Sequence, residues 1–482
     1  MYRNEVPLYG DLITLVTDVN HDVLSESAAL DIDKPIADGD LMRLTLERHG
    51  AIRVGTAAEF AVLAKIFVLL GMSPVGFYDL SECGLPIQAT AFRPIGEGAL
   101  QRNPFRVFTS LLQLDLIPDA QSRQLAQSIL QKRDICPDAL KQLLDRIFSG
   151  VQEGKRPLLS EQDAAAFIPL AIDVFRWHSN TTVSRQDYDT LRKVHPLIAD
   201  ICCFSGPHIN HLTPRTLDID AVQIGMNARG IDAKEIIEGP PRRVNSILLR
   251  QTSFKALEEA VYFLDQSAVG GRTLGHHTAR FGEIESRGAA LTRKGLRLYQ
   301  SIMNSFIHSE QEATEADSTY QDRLEAAFRS FPDDLAAMRE QGLAYFTYSL
   351  HRDDTPAERG KGSASLSRRS SASALDQALA QHRLVIRYEP ITYEDFLPQS
   401  AAGIFSSNLA SSPKESPASN RSSPVAGEGE DDKKKAFEEQ IGLKIGDYFD
   451  LYEEAQRQSV EHVADRLHLS FEEVHVALVG RK

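Results

Sequence analysis

The 482 residues include only four cysteines, Cys83, Cys136, Cys202 and Cys203, and one tryptophan. Four thiols at such irregular spacing supply neither a disulfide framework nor a zinc knuckle, and the adjacent Cys202-Cys203 reads as two small buried apolar residues. Long apolar runs are missing too. The longest, Phe60 to Met72, is interrupted by Lys65 and falls short of the roughly 20 residues that a membrane span needs, so a buried helix is expected there. Positive charge is in deficit: 53 Lys plus Arg against 67 Asp plus Glu leave a formal charge of −14, which argues against a nucleic-acid partner held through phosphates. The opening residues, Met1 to Asp11, carry acids early and lack both an apolar signal core and a basic, acid-poor transit pattern. Neither a P-loop nor a Ser/His/Asp arrangement is present. A soluble, cytoplasmic protein with a local cationic pocket is expected.

What the chain does contain is three short segments, far apart, that each offer a metal-ligand side chain. They are Arg48-His49-Gly50-Ala51-Ile52-Arg53-Val54-Gly55, Asn210-His211-Leu212-Thr213-Pro214-Arg215 and Phe281-Gly282-Glu283-Ile284-Glu285-Ser286-Arg287-Gly288. Two imidazoles and a carboxylate on one face of a metal leave the opposite positions open, the arrangement that suits ferrous iron. If the first segment is a strand, His49, Ala51 and Arg53 face one side. A metal ligand and a fixed guanidinium then share a cavity, which suits a substrate that chelates at one end and presents a carboxylate at the other. Two alternatives stay open at this level. His208 could replace His211, although their odd spacing puts them on opposite faces of a strand. Glu285 shares a strand face with Glu283 and could replace it, or could orient a ligand from behind. His276-His277 reads as surface, and Asp218 and Asp220 read as a helix start.

Residues 1 to about 48 and about 105 to 200 show apolar recurrence at helical intervals. Ser246 to Phe254 is strand-like and Lys255 to Leu264 reads as helical. The expected architecture is α+β, a mixed sheet holding the metal with a large helical insertion at about 105–200. The core is expected over 1–355 and 375–409. Low hydrophobicity predicts a disordered insertion at 356–374 and a disordered linker at 406–435, with Asp431-Asp432-Lys433-Lys434-Lys435 as a solvated charge run. Residues 436–482 read as an amphipathic helical segment that docks on the core or on a partner.

The motifs together resemble the 2-oxoadipate dioxygenase/decarboxylase family, also called hydroxyglutarate synthase. The resemblance runs from Met1-Tyr2-Arg3-Asn4-Glu5-Val6-Pro7 through His208 to Asp220 and Glu238-Gly239-Pro240-Pro241-Arg242-Arg243-Val244-Asn245 to Ser400-Ala401-Ala402-Gly403-Ile404-Phe405, most of the chain to about Leu409. It implies a vicinal-oxygen-chelate-like half-open β-barrel built from βαβββ modules. It also implies iron(II), with His49, His211 and Glu283 as ligands and Arg53 as a substrate contact. The implied reaction takes 2-oxoadipate and dioxygen to 2-hydroxyglutarate and carbon dioxide in lysine catabolism, without separate 2-oxoglutarate. Alignment on Arg287 favours Glu283 over Glu285. A loop around Tyr393 to Gly403 resembles one that lies over the substrate, which puts Gln399 and Ser400 in contact with it. Family members tend to carry a small apolar residue where this chain has Gln399, so preference for the six-carbon acid is less secure. The competing reading within the same superfamily is a glyoxalase-type lyase or isomerase using zinc or nickel and a carboxylate base.

Overall fold

The computed structural model describes residues 1–29, 38–41, 43–81, 84–151, 156–278, 281–312, 319–352, 364–365, 374–397 and 430–480. Its strands are β1 Arg48–Val54, β2 Ser73–Asp79, β3 Ile87–Arg93, β4 Phe105–Leu112, β5 Asn180–Ser184, β6 Leu212–Pro214, β7 Leu249–Ser253, β8 Glu258–Leu264, β9 Arg272–Thr278, β10 Glu283–Arg287, β11 Phe346–Arg352, β12 Ala364–Ser365 and β13 Leu384–Pro390. The fold is mixed α+β with open sheets.

The principal sheet has the order β2-β3-β4-β1-β6, with β4 parallel to β1 and β6 antiparallel to it. A single bridge between Arg215 and Glu285 carries it on to the β10-β7 pair. The wall curves round the three motif segments, and among the described residues it does not close on itself. Between β1 and β2 runs the helix Ala57–Leu69, so β1, helix, β2, β3 and β4 form a βαβββ unit. Thr56 caps this helix and Glu59 reaches back to the Thr56 amide, satisfying two donors that a helix start leaves orphaned. Its Phe60 and Phe67 pack on Phe92 of β3, with Phe67 and Phe92 centroids 4.8 Å apart. This is the buried helix expected from the longest apolar run.

β1 is covered on both sides. Ile52 and Val54 join the core under that helix, whereas Ala51 joins a second core with β3 and the helices Ala120–Leu130 and Pro196–Cys202. His49 and Arg53 share the Ala51 face, which the pleat requires.

Four readings of local structure change. The stretch from 105 opens with β4, whose residues Arg106 to Leu112 are all buried; a strand covered on both faces shows a continuous apolar run that periodicity cannot separate from a helix. Lys255 to Leu264 is not helical: β8 pairs with β9 from Glu258↔Thr278 to Leu264↔Arg272. Val261 and Phe263 point inward while Tyr262 is exposed. The charge run Asp431 to Lys435 lies in the helix Glu430–Ile441, and Lys433 Nζ is 2.8 Å from Asp79. Ala364–Ser365, within the stretch read as disordered, pairs with β13; the rest of 356–373 and all of 406–429 lie outside the described residues. Helices Tyr448–Leu467 and Phe471–Leu478 pack on β11 and β13 in a third core, and Gly446 pairs with the edge of β2. Among the described residues no helix is long and apolar enough to cross a membrane.

Gly288 follows β10 at a point where chains nearly touch. Its amide donates to Leu248 O at 2.7 Å and its carbonyl accepts from Tyr393 at 2.8 Å. A Cβ added there would lie 2.2 Å from the Ser246 carbonyl carbon, with only backbone to move. Gly288→Ala is expected to cost about 1–3 kcal/mol of stability, read as a lowered urea midpoint; an unchanged midpoint would contradict the packing described.

Candidate metal centre

The curved wall brings His49 on β1, His211 just before β6 and Glu283 at the start of β10 together. Their ligand atoms lie within 4.8 Å of one another and all three residues are buried. His49 Nε2 is 2.7 Å and His211 Nε2 3.7 Å from Glu283 Oε1, and the imidazoles meet edge-on with centroids 5.4 Å apart. One hydroxyl ties two of the segments: Tyr2 Oη lies 2.8 Å from Asn210 O and 2.7 Å from Phe281 O, next to His211 and two residues before Glu283. His208 is not part of the cluster; its Nε2 lies 3.3 Å from Asp200 and its ring meets Trp177 edge-on.

Glu283 and Glu285 differ in their partners. Glu285 Oε2 faces His49 Nδ1 at 2.9 Å and accepts from Arg106 at 2.5 Å, while Oε1 accepts twice from Arg287 at 2.7 and 2.9 Å. Burial opposes its charge, but Arg106 and Arg287 hold its pKa well below the ordinary carboxylate value. Being acceptor-only, it fixes the proton of His49 on Nδ1 and turns Nε2 toward the centre, the carboxylate–histidine arrangement common behind metal ligands. Glu283 Oε1 accepts from Thr213 at 2.9 Å, whereas Glu283 Oε2 and His211 Nδ1, both buried, have no hydrogen-bond partner among the described residues. Burial lowers the His211 pKa to about 4, so the ring stays neutral and able to ligate near neutral pH. Two buried imidazoles beside a carboxylate oxygen that lacks a hydrogen-bond partner among the described residues fit a divalent metal.

Arg53 lies on the same strand face. Its Nη1 donates to Asp200 Oδ2 at 2.6 Å and to Asn210 Oδ1 at 2.5 Å, and burial lowers its pKa despite Asp200. Asp200 Oδ1 in turn faces His277 Nε2 at 3.0 Å, and His277 Nδ1 meets Tyr188 Oη at 2.8 Å. The surface reading of His276-His277 therefore holds for His276 and fails for His277, which β9 turns inward. Gln399 and Ser400 lie outside the described residues. Sequence reasoning missed Arg106, Asp200, Thr213 and Phe396. Arg106 and Asp200 sat in a stretch read as helical, and Thr213 and Phe396 lay inside segments singled out in the sequence without a role for either residue.

A buried centre of two histidines and one carboxylate, with a carboxylate behind one ligand and a fixed guanidinium beside it, defines a metal-dependent protein of mixed α+β fold. The family is shown by comparison. Residues 1–408 match the model of the 2-oxoadipate dioxygenase/decarboxylase family, and the chain belongs to that family. It is 46% identical over 471 residues to the 2-oxoadipate dioxygenase/decarboxylase of Pseudomonas putida, covering 97% of this chain and 95% of that protein. It is 47% identical over 460 residues to the Escherichia coli protein of that name, covering 95% and 94%. A hydroxyglutarate synthase from Pseudomonas putida, solved in complex with 2-oxoadipate, superposes with a TM-score of 0.79 at 44% identity, covering 97% of this chain and 96% of that one.

His49→Ala, His211→Ala and Glu283→Ala are each expected to weaken divalent-metal affinity by more than the roughly 10- to 100-fold expected for Glu285→Gln, which removes only the support behind His49. His208→Ala should bind metal like the wild type. Metal titration of the purified variants ranks them, and full affinity in any of the first three would remove that residue from the centre.

Proposed function

We propose that this protein is an iron(II)-dependent dioxygenase/decarboxylase that converts 2-oxoadipate and dioxygen to 2-hydroxyglutarate and carbon dioxide. The observation that carries this reading is the buried His49, His211 and Glu283 cluster, with Arg53 on the same strand face, in a chain of this family. The atoms balance: the six-carbon acid loses carbon dioxide, one oxygen atom enters the new carboxylate and the other becomes the hydroxyl beside it.

His49, His211 and Glu283 would hold the ferrous ion, which when bound supplies electrons for dioxygen and open positions for a chelating 2-oxo acid. Glu285 keeps His49 in one tautomer and ring orientation, and the Thr213 hydroxyl donates to the Glu283 carboxylate and restrains it. Arg53, its plane set by Asp200 and Asn210, receives a substrate carboxylate, so that the carbon to be oxidised lies near the metal. Gln399 and Ser400, two and three residues beyond Leu397, are proposed as further substrate contacts. No side-chain base is required. The shell of buried groups keeps water from the reaction.

Anaerobic loading with ferrous iron, followed by oxygen and a panel of 2-oxo acids, tests the reading. Formation of 2-hydroxyglutarate from 2-oxoadipate with one dioxygen consumed supports it; isomerisation or elimination without oxygen uptake points instead to glyoxalase-type chemistry. Arg53→Lys keeps the charge and loses the planar fork. It is expected to retain iron while kcat/KM for 2-oxoadipate falls roughly 10- to 100-fold, the scale of one charge-assisted contact. If Arg53 grips the distal carboxylate, the slow turnover of 2-oxohexanoate should barely change. Undiminished turnover of both substrates would reject Arg53 as a substrate residue.

A further inference from the structure

Residues Tyr393 to Leu397 run past the metal centre and are buried throughout. The Phe396 ring stands edge-on to His49 with centroids 5.0 Å apart, and the Arg106 guanidinium lies 4.4 Å above its centroid. Arg106 is the residue that holds Glu285 behind His49, and it also donates to Asp395 O at 3.2 Å. Displacement of this segment therefore reaches His49 by two routes, through the Phe396 ring and through Arg106 and Glu285.

The grip on the segment comes from the C-terminal part of the chain. On the helix Tyr448–Leu467, Tyr452 Oη donates to Asp395 Oδ2 at 2.5 Å and accepts from the Glu394 amide at 2.7 Å. Asp395 is also clamped by Arg93, Nε to Oδ1 at 2.8 Å and Nη2 to Oδ2 at 3.0 Å, and the Phe396 amide donates to Tyr78 Oη at 3.2 Å. The helix is seated independently, since Gln456 Oε1 accepts from the Phe346 amide at 2.8 Å and Val460, Val463 and Leu467 enter the third core. A hydroxyl that donates to a carboxylate and accepts from the neighbouring amide fixes both side chain and backbone at one point.

We propose that Tyr452 is a positioning residue: from the C-terminal helix it fixes Glu394 to Phe396 beside the His49, His211 and Glu283 centre, and thereby the geometry in which a 2-oxo dicarboxylic acid and dioxygen are used there. The inference rests on the reading above for its substrate, but its physical core does not need turnover. Tyr452→Phe keeps the ring packed between Tyr345 and Tyr393 and removes only the hydroxyl.

Hydrogen exchange of the metal-free protein reads the segment directly. The Glu394 amide is expected to exchange at least ten-fold faster in Tyr452→Phe, and to be unaffected in Arg457→Ala, an exposed change on the same helix. In the iron-loaded enzyme, Tyr452→Phe should retain metal with at most a few-fold loss of affinity, and its midpoint should fall by no more than the unpairing of one buried amide accounts for. Its kcat/KM for 2-oxoadipate should fall about ten-fold, with less than one 2-hydroxyglutarate formed per dioxygen consumed. Unchanged exchange, or wild-type kcat/KM with full coupling, overturns the proposal, as does a variant whose only defect is a lowered unfolding midpoint. If the phenylalanine variant does not fold, Asp395→Asn, which weakens the acceptor of the Tyr452 hydroxyl, carries the exchange and kcat/KM measurements with the same expected and overturning results, at a lowered midpoint because Arg93 loses its charge partner. An inactive wild type would sink the functional reading alone, because the exchange measurement still decides what Tyr452 holds.

Discussion

A carboxylate with no access to water must have its charge met by protein, and Glu285 is the point where this requirement organises the centre. Its two oxygens take Arg287, Arg106 and His49. Arg287 passes the demand on to Glu394 at 2.6 Å and to Glu47, and Arg43 joins Glu394 to Asp40. Arg215 closes the group on Asp40 at 2.9 Å and Glu47 at 3.2 Å. Four carboxylates, Asp40, Glu47, Glu285 and Glu394, thus face four guanidiniums, Arg43, Arg106, Arg215 and Arg287. Formal charges cancel, which allows so many ions to sit away from water.

Such a lattice is weak evidence for stability, since desolvation offsets much of the attraction between buried ions. Its effect is directional. Guanidiniums present donors in a fixed plane and carboxylates accept along fixed directions, so each pairing sets an angle as well as a distance. The lattice joins β10, β4, the chain entering β1, the chain leaving β6 and the segment after β13, elements that the backbone hydrogen bonds of the sheet link only in part. Apolar cores bring these elements to the same place, and the ionic contacts then orient the ligand-bearing strands within it. Arg53 with Asp200 repeats the device on the other side of His49, with His277 and Tyr188 behind.

How much of this could be seen in the sequence follows the range of the interaction. The shared face of His49, Ala51 and Arg53, the apolar helix after β1 and the helix start at Asp218 depend on neighbours within a few residues, and local pattern finds them. β8 and β4 were misread because their state is decided by partners at Arg272 to Thr278, at β1 and at β3, and a continuous apolar run looks alike in a buried strand and a buried helix. His277 was misread for a related reason, since in a strand adjacent residues face opposite sides and the pair His276-His277 has no single environment. Asp200, Arg106 and Tyr452 have no local signature, because each matters only through a residue 57 to 179 positions away.

Glu283 and Glu285 show most sharply where sequence stops and structure begins. Two residues apart on one strand face, they are chemically identical and equally buried. Only their lone pairs separate them. Both oxygens of Glu285 are occupied by groups that can donate, so it has no capacity left for a metal. Glu283 takes Thr213 on Oε1 and, among the described residues, nothing on Oε2, with two imidazole nitrogens turned toward Oε1. An unsatisfied anion in a dry interior costs several kcal/mol unless a cation meets it, and among the described residues Glu283 pairs with the imidazoles of His49 and His211 and with none of the four arginines of the lattice. The open acceptor on Oε2 suits Glu283 to the ligand role proposed for it, while the full complement around Glu285 suits it to a supporting one, and Arg287, two residues further along the same face, supplies two of the donors that set the carboxylates apart.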